Sequence, residues 1–268
     1  MTDRTTILVT MRLTATRDAP RAVSGVTRRG WQFPGALILG FVLNAVITGA
    51  PAIADEAAIQ RTLQARFPTM KVESVSRSPF AGLYEVVLDG EIVYADEKAE
   101  YFFGGNIYDI RTLPPRNLTQ ERTRQLTAKA LLDARELAIK RVRGAGERTL
   151  FTFEDPNCGF CKALQRELAK VDNVTIYTFL LPLISQDSVE KSVAVWCADD
   201  RAKAWEDLMS SGVAPGSDRS CAHPLSRVSA IARRYQVQAT PAIFLGNGVQ
   251  IGGMRSAADI EKALGAVR

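Results

Sequence analysis

The stretch Thr149–Leu150–Phe151–Thr152–Phe153–Glu154–Asp155–Pro156–Asn157–Cys158–Gly159–Phe160–Cys161 decides how the chain is read. Thr149–Phe153 is a short apolar run of strand character, and Pro156 closes it. Phe160, Leu164 and Leu168 recur at fourfold spacing, which predicts a helix from about Cys158 to Lys170 with those residues on one face. A strand that turns into a helix beginning on a cysteine is a specific context for C-x-x-C. At the first helical turn a sulfur meets unpaired N–H groups and the positive end of the helix dipole, both of which favour the thiolate that reacts. Cys161 follows one turn later, close enough to attack a mixed disulfide formed at Cys158. Cys158 is thus the expected nucleophile and Cys161 the resolving thiol. A C-x-x-C also forms half of many zinc sites, but there is no second pair and His223 is the only histidine. No metal and no cofactor is expected.

Downstream, Val174–Leu181 reads as a strand and Gln186–Tyr235 as a mostly helical stretch. Val237–Leu245 and Val249–Ile251 read as strands turning at Gly246–Asn247–Gly248, and Ser256 caps a last helix over Ala257–Val267. The order β–α–β, helical insert, β–β–α resembles a thioredoxin fold with an insertion. In that fold the position of Thr240–Pro241 holds a cis-proline facing the C-x-x-C, leaving the preceding backbone free to pair with a substrate peptide. An ordinary edge-strand proline is the plainer alternative. Cys197 and Cys221 read as a structural bridge around a loop of about 25 residues, stabilising by about 3 kcal/mol in the chain-entropy model; two unpaired buried thiols are the alternative. Trp196 and Trp205 read as core, and His223 as surface.

Upstream, residues 55–116 read as a small α+β unit: a helix over Ala57–Phe67, strands at Lys71–Val75, Leu83–Leu88 and Glu91–Tyr94, and a further pair, Tyr101–Phe103 with Ile107–Ile110, turning at Gly104–Asn106. So small a unit has a thin core and exposed strand edges, so pairing with a second copy is expected. Asn117 or Thr119 caps a helix reaching about Val142, a surface-lying linker over residues 117–146. The catalytic domain then spans 147–268.

The chain has 268 residues and a net charge of +5, but six of its 34 basic residues and two of its 29 acidic ones lie in residues 1–54. The remainder carries 28 and 27, which gives no reason to expect a nucleic-acid partner. Residues 1–54 have the parts of a secretory signal: Arg28–Arg29, an apolar heart over Ala36–Ile47, and Ala52–Ile53–Ala54 before a cut at Asp55. Met11 is an alternative start. An uncleaved anchor is the other reading, although Asn44, Thr48, Gly49 and Pro51 interrupt it.

Glu154–Cys161 with its flanks, Val195–Trp196–Cys197–Ala198, Ala239–Thr240–Pro241–Ala242, Gly104–Asp109 and Asn117–Leu118–Thr119 together resemble the DsbC/DsbG family of periplasmic disulfide isomerases across the mature chain. The resemblance implies a periplasmic homodimer joined through N-terminal domains, with catalytic domains facing across an apolar cleft. It implies a pair Cys158–Cys161 kept reduced by a DsbD-like membrane reductant, a Cys197–Cys221 bridge that stays oxidised, and misoxidised or unfolded exported proteins as clients. Cys–Gly–Phe–Cys is closer to the C-G-Y-C of the isomerase branch than to the C-P-Y-C of the DsbG branch. A DsbG-like reductase of sulfenylated cysteines and a cleft-binding holdase are the competing readings. Thioredoxin itself fits less well, since Thr152 stands where thioredoxin has its buried acid.

Overall fold

Asp55 opens the first helix by accepting the N–H of Ala57, and the computed structural model describes the chain from there, as residues 55–80, 82–216 and 219–267. The leader with its two candidate starts lies outside the described residues. Helix α1 (Glu56–Arg66) buries Ile59 and Leu63 against a sequentially ordered antiparallel sheet of β1 (Val72–Arg77), β2 (Leu83–Leu88), β3 (Glu91–Asp96) and β4 (Phe102–Phe103). The β2–β3 turn uses Asp89 and Gly90, both at positive φ, as a tight hairpin of this hand requires.

The hairpin expected between Tyr101–Phe103 and Ile107–Ile110 does not form. Asp96 accepts the N–H groups of Glu100 and Tyr101 at 2.7 and 2.8 Å, a tight turn that folds Phe102–Phe103 back onto β3. Tyr108–Asp109 (β5) pairs instead with Arg116–Asn117 (β6).

Asn117 caps α2 (Leu118–Asp133) by accepting the N–H of Gln120. The helix expected to reach about Val142 stops there; after one 3-10 turn, Ile139–Arg143 is a strand, β7, at the edge of the second sheet. Its side chains alternate, Ile139 and Arg141 inward, Lys140 and Val142 outward. A buried arginine disguised that period in a stretch whose composition favours helix. Nor does α2 lie free on the surface. Thr119 bonds Tyr94 Oη at 2.8 Å and the N–H of Ile107, while Leu131 is fully buried among Phe151, Phe153, Phe179 and Phe244. Ion pairing of Arg234 with Glu73, and Gln236 Nε2 donating to Glu91 at 3.1 Å, add rim contacts between the two sheets' domains.

The second sheet has the order β11–β10–β8–β9–β7. Arg148–Glu154 (β8) and Val174–Leu180 (β9) run parallel around α3 (Gly159–Leu168), while Ala242–Leu245 (β10) and Gln250–Gly252 (β11) are antiparallel. Helices α4 (Gln186–Trp196), α5 (Arg201–Ser211) and α6 (Leu225–Arg234) form the insert, and α7 (Ala257–Gly265), capped by Ser256, completes the expected order. The alternation of β8 divides the core. Phe151 and Phe153 pack toward α2 and α6, with Phe153 and Phe179 stacked at 4.9 Å; Leu150 packs toward Leu164 and Leu168 of α3 and Ile260 and Leu264 of α7. On α3 the buried face is Cys161, Leu164 and Leu168 rather than the expected Phe160, Leu164 and Leu168; Phe160 is 70% exposed.

Because Leu131 fills the aromatic side of the catalytic core, Leu131→Ala should cost about 2–5 kcal/mol of stability in urea unfolding. A loss below ~1 kcal/mol would mean that α2 is a detachable linker.

Candidate functional site

Cys158 is the N-cap of α3, and its sulfur accepts the N–H of Cys161 at 3.4 Å. On its other side Cys158 Sγ lies 3.3 Å from the carbonyl oxygen of Thr240, to which its thiol donates. The Thr240–Pro241 peptide is cis. The structure therefore brings Cys158, Cys161, Thr240 and Pro241 together at one end of the parallel strand pair. Both cysteines are free thiols; Cys158 is 7% exposed and Cys161 wholly buried. They sit on the tryptophan cluster of the insert, with Trp196 and Trp205 buried beside them.

Cys197 and Cys221 are bonded to each other, their Cα atoms 5.7 Å apart, at the C-terminal end of α4. Trp196 Nε1 donates to the Ala222 carbonyl beside this bridge, and Arg201 lies over the Trp196 ring at 4.0 Å. His223 is exposed. Among the described residues there is no group of three or more side chains suited to a metal, and no helix is long and apolar enough to cross a membrane.

Three acidic or amide residues just before Cys158 matter more than the sequence reading allowed. Asp155 is buried and accepts four hydrogen bonds: from the N–H of Asn157 (2.7 Å), Leu183 (2.7 Å) and Ile184 (3.0 Å), and from Ser188 Oγ (2.9 Å). It thereby fixes both the approach to Cys158 and the loop carrying the exposed Leu183 and Ile184. Asn157 adds Nδ2 contacts to Asp187 and Ser188 and accepts from Lys191 Nζ. Glu154, the third, is fully buried.

Glu154 belongs to a closed ring of five side chains beneath the site. Gln165 Nε2 donates to both its carboxylate oxygens, at 2.8 and 2.7 Å, and Thr152 Oγ1 donates to Oε1 at 2.7 Å. Thr152 Oγ1 lies 3.0 Å from Thr178 Oγ1, which accepts from Arg141 Nη2; Arg141 Nη1 donates to Gln165 Oε1 at 2.6 Å and closes the ring. Burial pushes the Glu154 carboxyl above the ordinary range, against the pull of Arg141 and its hydrogen-bond donors. Burial likewise pushes the Cys161 thiol far up, and the Glu154 carboxylate adds to it. Thr152 stands six residues before Cys158, but strand periodicity puts position 154 on the same face, so the acid is present two residues further on. Arg141 could be found only by recognising β7 as a strand.

The profile of the "Disulfide bond isomerase protein N-terminal domain" matches residues 50–120, and that of the "Thioredoxin-like domain" matches residues 135–268. The probable thiol:disulfide interchange protein DsbC of Bordetella pertussis is 38% identical over 208 residues, 77% of this chain and 73% of that one. The thiol:disulfide interchange protein DsbC of Escherichia coli is 29% identical over 230 residues, 84% and 93% of the two chains. Among solved structures, the disulfide interchange protein from Neisseria gonorrhoeae matches with a TM-score of 0.47 and 34% identity, over 48% of this chain and 94% of that one.

Asp155→Ala would strand three backbone N–H groups and a serine hydroxyl. It should lower stability by at least about 3 kcal/mol and make Leu183 and Ile184 exchange their amide protons quickly. Amide exchange at those two positions that stays slow would show that Asp155 does not hold the loop.

Proposed function

We infer that this chain, which belongs to the DsbC family of thiol:disulfide interchange proteins, works as a disulfide isomerase in which Cys158 attacks and Cys161 resolves. The observation that carries the assignment is the pair of backbone contacts on Cys158 Sγ. The Cys161 N–H points at the sulfur and supports negative charge on it during attack, while the Thr240 carbonyl stands beside it. An extended client strand laid along Thr240 brings its disulfide to that sulfur. Attack forms a Cys158–client disulfide and expels the client's other sulfur as a thiolate. If the expelled thiolate attacks back, the original disulfide re-forms; if a different thiolate of the client attacks the client sulfur, Cys158 leaves unchanged and the disulfide has moved. If Cys161 attacks Cys158, the client leaves reduced and the pair is left oxidised, so an external dithiol must reduce it. A membrane reductant of the DsbD kind fills that role in this reading.

Phe160, Leu183, Ile184 and Met254 are exposed apolar side chains on segments adjoining the site, suited to unfolded rather than native clients. The Cys197–Cys221 bridge serves stability and takes no part in exchange. Residues 55–116 supply the dimer contact: Tyr101, Phe103, Tyr108, Ile110 and Leu113 all lie exposed within one short segment. A symmetric second copy covers such a patch with itself. Export to the periplasm fits a cut before Asp55, which leaves the α1 cap intact.

Cys158→Ala should abolish reactivation of scrambled ribonuclease, and Cys161→Ala should leave a trappable client adduct on Cys158. Adduct formation on Cys161 in the Cys158→Ala chain would reverse the two roles. The chain from Asp55 should sediment as a dimer at micromolar concentration, and Ile110→Asp with Leu113→Asp should shift it toward monomer. Such a monomer should still reduce small disulfides while losing ribonuclease reactivation; full isomerase activity in a monomer would remove the dimer from the mechanism.

A further inference from the structure

Asn157 stands immediately before the nucleophile, in a turn that the Cys158 N–H closes by donating to the Asp155 carbonyl at 3.1 Å. Asparagine in a turn ordinarily serves the turn itself, through a left-handed backbone or a side-chain bond to a nearby amide. Here it does neither: its φ is not positive, and the local side-chain bond comes from the Asp155 carboxylate. The Asn157 side chain reaches instead to the start of α4, 28 to 34 residues along the chain. Its Nδ2 donates to Ser185 Oγ (3.2 Å), Asp187 Oδ2 (2.8 Å) and Ser188 Oγ (3.0 Å), and its Oδ1 accepts from Lys191 Nζ (2.9 Å). Cys158 caps α3 and Ser185 caps α4, so one carboxamide joins the starts of two helices. Lys191 only donates and the Asp187 carboxylate only accepts, so position 157 must offer an acceptor to one and a donor to the other. Lys191 and Asp187 also pair with each other at 2.6 Å. Such an exposed pair contributes little alone, but Asn157 ties it to the reactive loop. Behind it α4 is firmly placed. Ser188 is wholly buried and donates to Asp155, and Trp196 at the far end shares an apolar cluster with Cys158 and Cys161.

We propose that Asn157 is a positioning residue for client exchange: it ties the peptide leading into Cys158 to the first two turns of α4, so that the nucleophile keeps its place when an attached client pulls on it. The inference rests on Cys158 being the attacking thiol. After attack the client hangs on Cys158 by one S–S bond, and its motions act on the short segment between β8 and α3. Reshuffling then needs a second client thiolate to bond to the client sulfur on Cys158. The Cys158–client bond breaks, and Cys158 Sγ leaves with the electron pair; neither the client nor the cysteine pair is oxidised or reduced overall. That displacement needs three sulfurs in line, and the departing one must fall back between the Cys161 N–H and the Thr240 carbonyl. A small disulfide exerts no such pull, so the demand on Asn157 is specific to large clients.

The test uses scrambled ribonuclease and oxidised glutathione as large and small disulfides. It compares the native chain, Asn157→Ala, Asn157→Asp, and the reciprocal exchange of Asn157→Asp with Asp187→Asn. Asn157→Ala should lower kcat for ribonuclease reactivation about tenfold, with KM and the rate of glutathione reduction each within about twofold of native. Asn157→Asp should lose at least as much, because it sets a carboxylate against Asp187. The reciprocal exchange keeps the net charge and again sets a donor opposite an acceptor, so it should return kcat to within about threefold of native. A residue that merely supports the fold would move both disulfides together, through the fraction of folded chain, and not their ratio. Equal losses with the two disulfides overturn the proposal. So do an unchanged kcat, a rise in KM alone, and a reciprocal exchange no better than Asn157→Asp. A Cys158→Ala chain as active as the native one overturns the underlying reading instead. If Asn157→Ala does not fold, Lys191→Met decides, since it keeps the side chain's stem and removes only the donor to Asn157 Oδ1. It should show the same split between ribonuclease and glutathione, and equal losses or none overturn the proposal.

Discussion

The parallel pairing of β8 with β9, in register from Arg148 opposite Val174 to Glu154 opposite Leu180, is the constraint on which the rest depends. Parallel neighbours need a crossover, and α3 is that crossover, so its N-terminus must lie where β8 ends. Cys158 stands in that short gap. Whatever fixes β8 in the sheet also fixes the sulfur: the Phe151–Phe153–Phe179 side packs it from one face and the Leu150–Leu164–Leu168 side from the other. The antiparallel neighbour β10, entered through Pro241, then delivers the Thr240 carbonyl to the same end. The site is thus the meeting of one helix start and one strand start, both set by the central strand.

The insert gives this site a roof. Trp205, Leu208 and Met209 of α5 and Trp196 of α4 form one apolar cluster with Cys158 and Cys161, which removes Cys161 from water altogether. Helices α4 and α5 are joined to the loop ahead of α6 by the Cys197–Cys221 bridge, and Trp196 donates its indole N–H just past that bridge. The bridge therefore acts on the reactive pair indirectly, by holding together the cluster against which the pair is buried.

The reactive pair, the element order of the catalytic domain and the position of Pro241 were legible in the sequence because each rests on local rules: spacing, periodicity and turn chemistry. What was not legible shares one cause, polar groups placed where apolar ones are expected. Arg141 faces inward from β7, so Ile139–Arg143 looked like the tail of a charged helix. Glu154 and Asp155 sit at the end of an apolar strand, and nothing in their neighbours' identity announces that Gln165, Thr152 and Thr178 will meet one, and Ser188 and loop amides the other. Fourfold spacing groups Phe160 with Leu164 and Leu168, but Cys161 lies three and seven residues before the same two leucines, and α3 turns Cys161 inward and Phe160 out. The fold of Phe102–Phe103 back onto β3 depends on a side-chain cap by Asp96, which strand propensity does not contain.

The relation between the small N-terminal sheet and the catalytic domain follows from α2. The ion pair and amide contact at the rim are partly exposed and contribute little on their own, since exposed pairs stabilise by about 0–1 kcal/mol. Helix α2 is different, because it is buried at both ends, by Thr119 against Tyr94 and by Leu131 in the aromatic core. Sixteen helical residues span roughly 24 Å, a fixed distance rather than a flexible tether. If two copies pair through residues 101–113, the separation of their Cys158 sulfurs is set by two such struts and their buried anchors. The two buried anchors of α2, which composition alone suggested was a surface linker, therefore hold the N-terminal sheet at a fixed distance from the catalytic site.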